Sequence, residues 1–232
     1  MIAEKHFEFT GETKVFCGIT LKRIRASISF GTIVKGDVGG WVEKESNLSG
    51  NAWVSDNAQV SGNAQVYGDA QVSDNAQVSG NAQVYGDACI YGNAHASSNA
   101  QVYGDACVYG NAHASGNACV SGDAWIYDDA QVSGDAWIYG NARVFGDAQV
   151  SDNARVYGDA WEKSPLHINL TKWSLTVSTK TTITIGCNSF TVQEWEEKAD
   201  DIAKKEHMTE NEIKEYKMAI QYAKNWMKIY CK

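Results

Sequence analysis

GDACIYGNAHASSNAQVY, Gly86 to Tyr103, is followed at once by GDACVYGNAHASGNACVS, Gly104 to Ser121. Cys89 returns as Cys107 and His95 as His113, eighteen residues on, although the underlying Gly-Asn/Asp-Ala recurs every six. From Gly50 the chain divides without a gap into eighteen hexads of the form [GDS]-[ND]-A-x-[VIA]-[SYF] that end at Tyr157, and GDAW opens another at Gly158.

Within a hexad, Ala and the aliphatic residue sit two apart. Both therefore face one side of a strand and x faces the other. Gly, Asn and Asp between strands are turn chemistry, because they tolerate the left-handed region. A chain that bends at every hexad coils. If three hexads make a turn, residues eighteen apart stack at the strand spacing of about 4.8 Å. Sorting by eighteen separates what sorting by six mixes. Gln59, Gln77, His95, His113, Gln131 and Gln149 form one column, and Ser61, Ser79, Ser97, Ser115, Ser133 and Ser151 another. Tyr67, Tyr85, Tyr103, Ser121, Tyr139 and Tyr157 form a third, and Ser55, Ser73, Tyr91, Tyr109, Tyr127 and Phe145 a fourth. The fold class predicted is an all-β solenoid, a parallel β-helix with three hexads per coil.

Composition fits a packed repeat. The 232 residues hold 21 Gly, one Pro and 44% hydrophobic residues, which argues against disorder. The formal net charge is −8, but Gly50 to Ala160 has twelve Asp, no Glu, no Lys and only Arg143 and Arg155, about −10 for that segment alone. A free nucleic-acid-binding rod has the opposite sign, so no direct nucleic-acid binding is expected. MIAEKHFEF lacks the basic and apolar regions of a signal peptide, and no apolar run approaches a membrane span. The six Cys are expected as reduced thiols in a bacterial host cytoplasm.

Small-x-aliphatic hexads with Asn just before the small residue resemble the hexapeptide-repeat proteins, across about residues 50–160. That resemblance implies a left-handed coil, a homotrimer, and an acyltransferase ancestry in which a histidine is general base toward acyl-CoA bound between subunits. GTIVKGDVGGWVEKESNLSGNAWV before the repeats and ITIGCNSFTVQEWEEK after them resemble a phage and bacterial subgroup labelled acyltransferase.

The flanks close the rod's edges. Residues 1–31 are expected as an N-terminal β cap, with strands over His6 to Thr10, Lys14 to Ile19 and Leu21 to Phe30. Residues 32–160 form the β-helix and 161–192 a short β segment, β-like from Thr171 to Val192. Residues 193–232 hold two C-terminal helices. Thr191 with Glu194, and Thr209 with Glu212, fit capping boxes. Ile213, Tyr216, Ile220, Ala223 and Trp226 give the second helix an apolar face. The charge run from Glu194 to Glu206 reads as solvated surface.

Three groups of side chains invite chemistry. His95 and His113 stack outward on adjacent coils, where one imidazole kept neutral by the other could act as a base. They are the candidate catalytic residues, although a polar ladder at a subunit interface suits the column as well. No insertion interrupts the hexads, so nothing there closes over an acceptor. Cys89 and Cys107 stack on one side and Cys119 lies on another; columns on different faces of one chain diverge, so the three do not make a four-ligand zinc site. No metal is expected, and no cofactor unless the protein transfers acyl groups from acetyl-CoA or another acyl-CoA. Trp125, Trp137 and Trp161, with Tyr109, Tyr127, Arg143 and Arg155, gather toward the C-terminal coils. They suit a planar anionic ligand or a partner, or the docking of the C-terminal helices with Arg paired to a carboxylate. The function expected is a non-enzymatic, phage- or prophage-type trimeric binding protein that counters a host factor by protein binding, nucleic-acid mimicry or nucleotide capture. An acyl-CoA-dependent O- or N-acyltransferase is the alternative, and a structural scaffold component the third reading.

Overall fold

The computed structural model describes residues 5–231. Residues 1–4 of the expected cap and Lys232 of the expected helical segment lie outside them. The chain begins with a hairpin. Phe7–Phe16 pairs antiparallel with Ile19–Ala26, and Phe16 faces Ile19 across a two-residue turn. The turn residues Cys17 and Gly18 have φ of 48° and 79°, the left-handed pair that a tight hairpin requires. Two strands thus replace the three expected. The polar break at Gly11 and Glu12 is taken up as a register shift between Phe9 and Thr13 inside one long strand, with Gly11 at φ 92°, and residues beyond Ala26 leave the sheet.

Val38–Val42 joins cap to rod. It is antiparallel to Ile19–Ala26 on one side and parallel to Gln59–Val60 on the other. On that side the first coil therefore presents no open edge.

From there the chain is a parallel β-solenoid of about seven turns, built as three sheets. Each strand pairs with the strand eighteen residues on, as Gln59 with Gln77, Cys89 with Cys107 and Gln83 with Gln101. The Ala and aliphatic positions fill the interior and are shielded from water: Ala94, Val102, Val108 and Ile126 are wholly buried. Small Ala beside Val or Ile lets three sheets meet around a narrow axis at close-packed density. The corners need a left-handed residue. Gly134 supplies one at φ 65°, and a Cβ there would sit 2.7 Å from the Asp152 backbone nitrogen. Asp56, Asp74, Asp128 and Asp152 fill the same role with positive φ.

Side-chain amides stack at two corners. Asn63 donates to Asn81 at 3.2 Å, Asn81 to Asn99 at 3.0 Å, Asn99 to Asn117 at 2.9 Å and Asn117 to the Asp135 carboxylate at 2.8 Å. A second run goes from Asn75 through Asn93 and Asn111 to Asp129. All bonds of a run point the same way, and a carboxylate, which accepts only, ends each.

The last turn is one residue short. Arg143 pairs with Ala160 and Val144 with Trp161, a step of seventeen. GDAW therefore does not continue the hexads in register. Trp161, expected to face outward, turns into the core end, where it is buried. Its Nε1 donates to the Gly158 carbonyl at 2.9 Å.

An antiparallel sheet of His167–Ile168, Leu175–Val177, Thr182–Ile185 and Asn188–Thr191 follows. Two helices cover it, α1 (Val192–Lys205) and α2 (Glu210–Tyr230). Thr191 with Glu194 and Thr209 with Glu212 make the two capping boxes. The buried face of α2 is Tyr216, Ala219, Ile220, Ala223 and Met227, while Ile213 and Trp226 lie half-buried beside it. Trp195 donates from Nε1 to the Ile183 carbonyl at 2.8 Å and ties α1 to the sheet. The charge run is exposed along most of its length, interrupted by buried Trp195 and Ala203.

Candidate functional site

The coil step fixes the site geometry. His95 and His113 are in-register partners with ring centroids 4.8 Å apart and planes 10° from parallel. Burial holds the His95 imidazole below its usual pKa, and the His113 neighbour adds to the effect. The floor of the pair is the wholly buried Ala96 and Ala114.

On the next sheet the outward column is Trp53, Gln71, Cys89, Cys107, Trp125 and Arg143. The Cys107 thiol beside Cys89 holds Cys89 down, to about 7. The Arg143 guanidinium lies over the Trp125 ring at 5.2 Å, and Trp125 meets Tyr109 edge-on at 6.0 Å. Tyr91, Tyr109, Tyr127 and Phe145 stack beside them at 4.8, 5.0 and 5.0 Å. Tyr109, Trp125, Tyr127 and Arg143 are therefore one cluster.

The third sheet carries a second cluster. Arg155 lies over the Trp137 ring at 5.7 Å, and its Nη1 donates to the Gly186 carbonyl at 2.9 Å. The C-terminal sheet thus docks on Arg155 through a backbone carbonyl, where the sequence suggested a carboxylate. Trp125 and Trp137 are 39% and 50% exposed. Cation–π pairs at such sites contribute about 0.5–1 kcal/mol each. Trp161 joins neither cluster. It stacks on Trp226 of α2 at 6.5 Å and closes the end of the rod.

The seven aromatic and Arg candidates thus split over two faces and one end, and the histidines lie on the remaining face. Sequence reading missed a groove of about 380 Å³ at the rod's C-terminal end, where Phe145, Trp161, Trp226 and Tyr230 meet Lys163 and Lys180. Trp161 and Phe145 in its lining stand out in the sequence, but the helical side is signalled only by Trp226 and Tyr230, one helical turn apart. Among the described residues no three His, Cys, Asp or Glu converge as metal ligands, and no helix is long and apolar enough to cross a membrane.

The repeats match the family model of the YdcK beta solenoid repeat over residues 58–74, 64–80, 70–86, 82–98, 100–116 and 148–163. No curated protein matches the chain significantly. Repeat match and parallel coil together fit a repeat β-helix superfamily.

Proposed function

We propose that the protein is a non-enzymatic binding module, a trimer of phage or prophage type, whose rigid faces engage a host protein or a small anionic ligand. The observation that carries this reading is the pair of exposed indoles, Trp125 and Trp137, each held under a guanidinium. Trp, Tyr and Arg are the residues that dominate binding energy at interfaces, and here a stiff ladder holds them with little rotamer entropy to lose. The continuous step of eighteen from Gln59 to Val150 leaves no excursion of chain over His95 and His113, which favours binding over group transfer. The outward tyrosine stacks support burial between three copies. The twelve rod Asp support a partner with a basic surface, as in nucleic-acid mimicry.

A second reading, acyl transfer with His95 or His113 as base, draws on the lowered pKa of His95. Native mass spectrometry of the protein taken directly from a bacterial lysate separates the two. The binding reading expects three chains with a host protein or small anion that disappears in Trp125→Ala and Trp137→Ala. Retained CoA, with acyl transfer lost in His95→Ala and His113→Ala, would overturn it.

A further inference from the structure

Cys89 and Cys107 hold the same outward place on successive coils, as in-register partners of two parallel strands. Each thiol turns back on its own strand. Sγ of Cys89 lies 3.6 Å from the Asp87 carbonyl oxygen and Sγ of Cys107 3.8 Å from that of Asp105. The two side chains thus have one shape and are displaced from each other by the coil step. That step is 4.8 Å, as the Tyr91–Tyr109 and His95–His113 stacks on the same two coils show. Both cysteines are free and half-buried, so an ion can reach them.

We propose that this pair is a two-coordinate site for a soft monovalent ion of the copper(I) class. Zinc–thiolate bonds are about 2.3 Å long, and two bonds of that length in line span roughly 4.6 Å, close to the 4.8 Å coil step that separates the two side chains. Soft thiolates select copper(I) over harder ions. Tetrahedral zinc needs four ligands, and the column supplies only Gln71 below Cys89 and Trp125 above Cys107. A disulfide fits less well. It needs Cβ atoms about 3.8 Å apart, whereas stacked strands hold equivalent atoms about 4.8 Å apart. The ladder resists closing that gap, because Cys89 N donates to Ala106 O at 3.0 Å and Cys107 N to Ala124 O at 2.9 Å. Binding replaces two thiol protons with one ion. Both protons leave to solvent, one net negative charge remains, and no oxidant or reductant takes part.

The test uses the full chain under nitrogen, offered equimolar copper(I) in excess glutathione, and read by native mass spectrometry. One copper per chain is expected, because a preformed pair of thiolates outcompetes single ones. The ion should be lost in Cys89→Gln and in Cys107→Gln and kept in Cys119→Ser. Gln already fills this column at Gln71, so these variants keep the fold, and circular dichroism checks that they do. Trp125, next in the column, should lose fluorescence on loading in the native chain alone. Copper yielded wholly to glutathione, copper retained by Cys89→Gln, or a chain lighter by two hydrogens and free of copper would each overturn the site. The last would make the pair a disulfide.

Discussion

At the scale of the residue, the interior and the exterior of the rod follow different rules. Inside, Ala and Val or Ile are held by volume: Ala112, Val108 and Ile126 have no exposed surface, and any added or removed methylene is felt. Outside, a side chain is held by its equivalents on the coils above and below. Titratable groups show this scale best. His6 is buried under the cap, and its Nε2 donates to the Ala52 carbonyl at 2.9 Å. Burial holds its pKa down, and the backbone bond opposes that only in part. A base whose folded pKa is depressed binds fewer protons folded than unfolded. Its folded state therefore loses nothing above the unfolded value near 6.5, and loses stability as the pH falls from there through the folded value. His167 is shifted the same way, by burial first. Urea midpoints should thus decline as the pH falls from about 6.5 toward 5.5, with a shallower decline in His6→Gln. Equal slopes for the variant and the native chain would remove His6 from this account. The inward columns, the outward columns and the stacked His and Cys were all legible in the sequence, because a fixed period carries each. The amide runs from Asn63 to Asp135 were not. Asn and Asp were explained by turn conformation alone, and that explanation did not require their side chains to find one another.

At the scale of the element, legibility depended on length and signal. Both helices follow from their caps. The Thr191 and Thr209 hydroxyls accept from the backbone amides of Glu194 and Glu212, and the glutamates return a bond to the Thr amides at 3.0 Å and 2.6 Å. Removing one such Thr hydroxyl typically costs about 1 kcal/mol. Thr209→Ala should lower helix content at the start of α2 and lower the melting temperature, with the rod's β signal unchanged below the transition. Hydrogen exchange resolved by segment would check that the loss is confined to α2 and the sheet beneath it; early exchange in the Gln59–Val150 coils would contradict the separation. The cap hairpin was less legible, since Gly11 looks like a strand end in sequence and is a bulge in the structure. Trp161 was misplaced for a related reason. A deletion of one residue in register reverses which face a side chain takes, and nothing in GDAW announces it.

At the scale of the whole molecule, the protein is a ruler with a 4.8 Å step. The step sets every functional distance, from the paired imidazoles to the two thiols and the guanidinium above each indole. Repeat proteins gain stability from contacts between neighbours, so a coil can be removed whole. The cap and the C-terminal sheet are each fixed to particular sheets of the rod, through Trp41 with Gln59 at one end and Arg155 with Gly186 at the other. A removal that is not a whole coil therefore turns one end against the other. The measurement that tests this most directly is thermal unfolding of two deletions, one of Gly86 to Tyr103 and one of Gly86 to Tyr91. Both leave the hexads unbroken. The eighteen-residue deletion should give a shorter rod that unfolds in one cooperative transition, near the native melting temperature. The six-residue deletion should lose the docking of one end and melt earlier or in two steps. Equal behaviour of the two deletions would contradict a three-sided coil and the columns built on it.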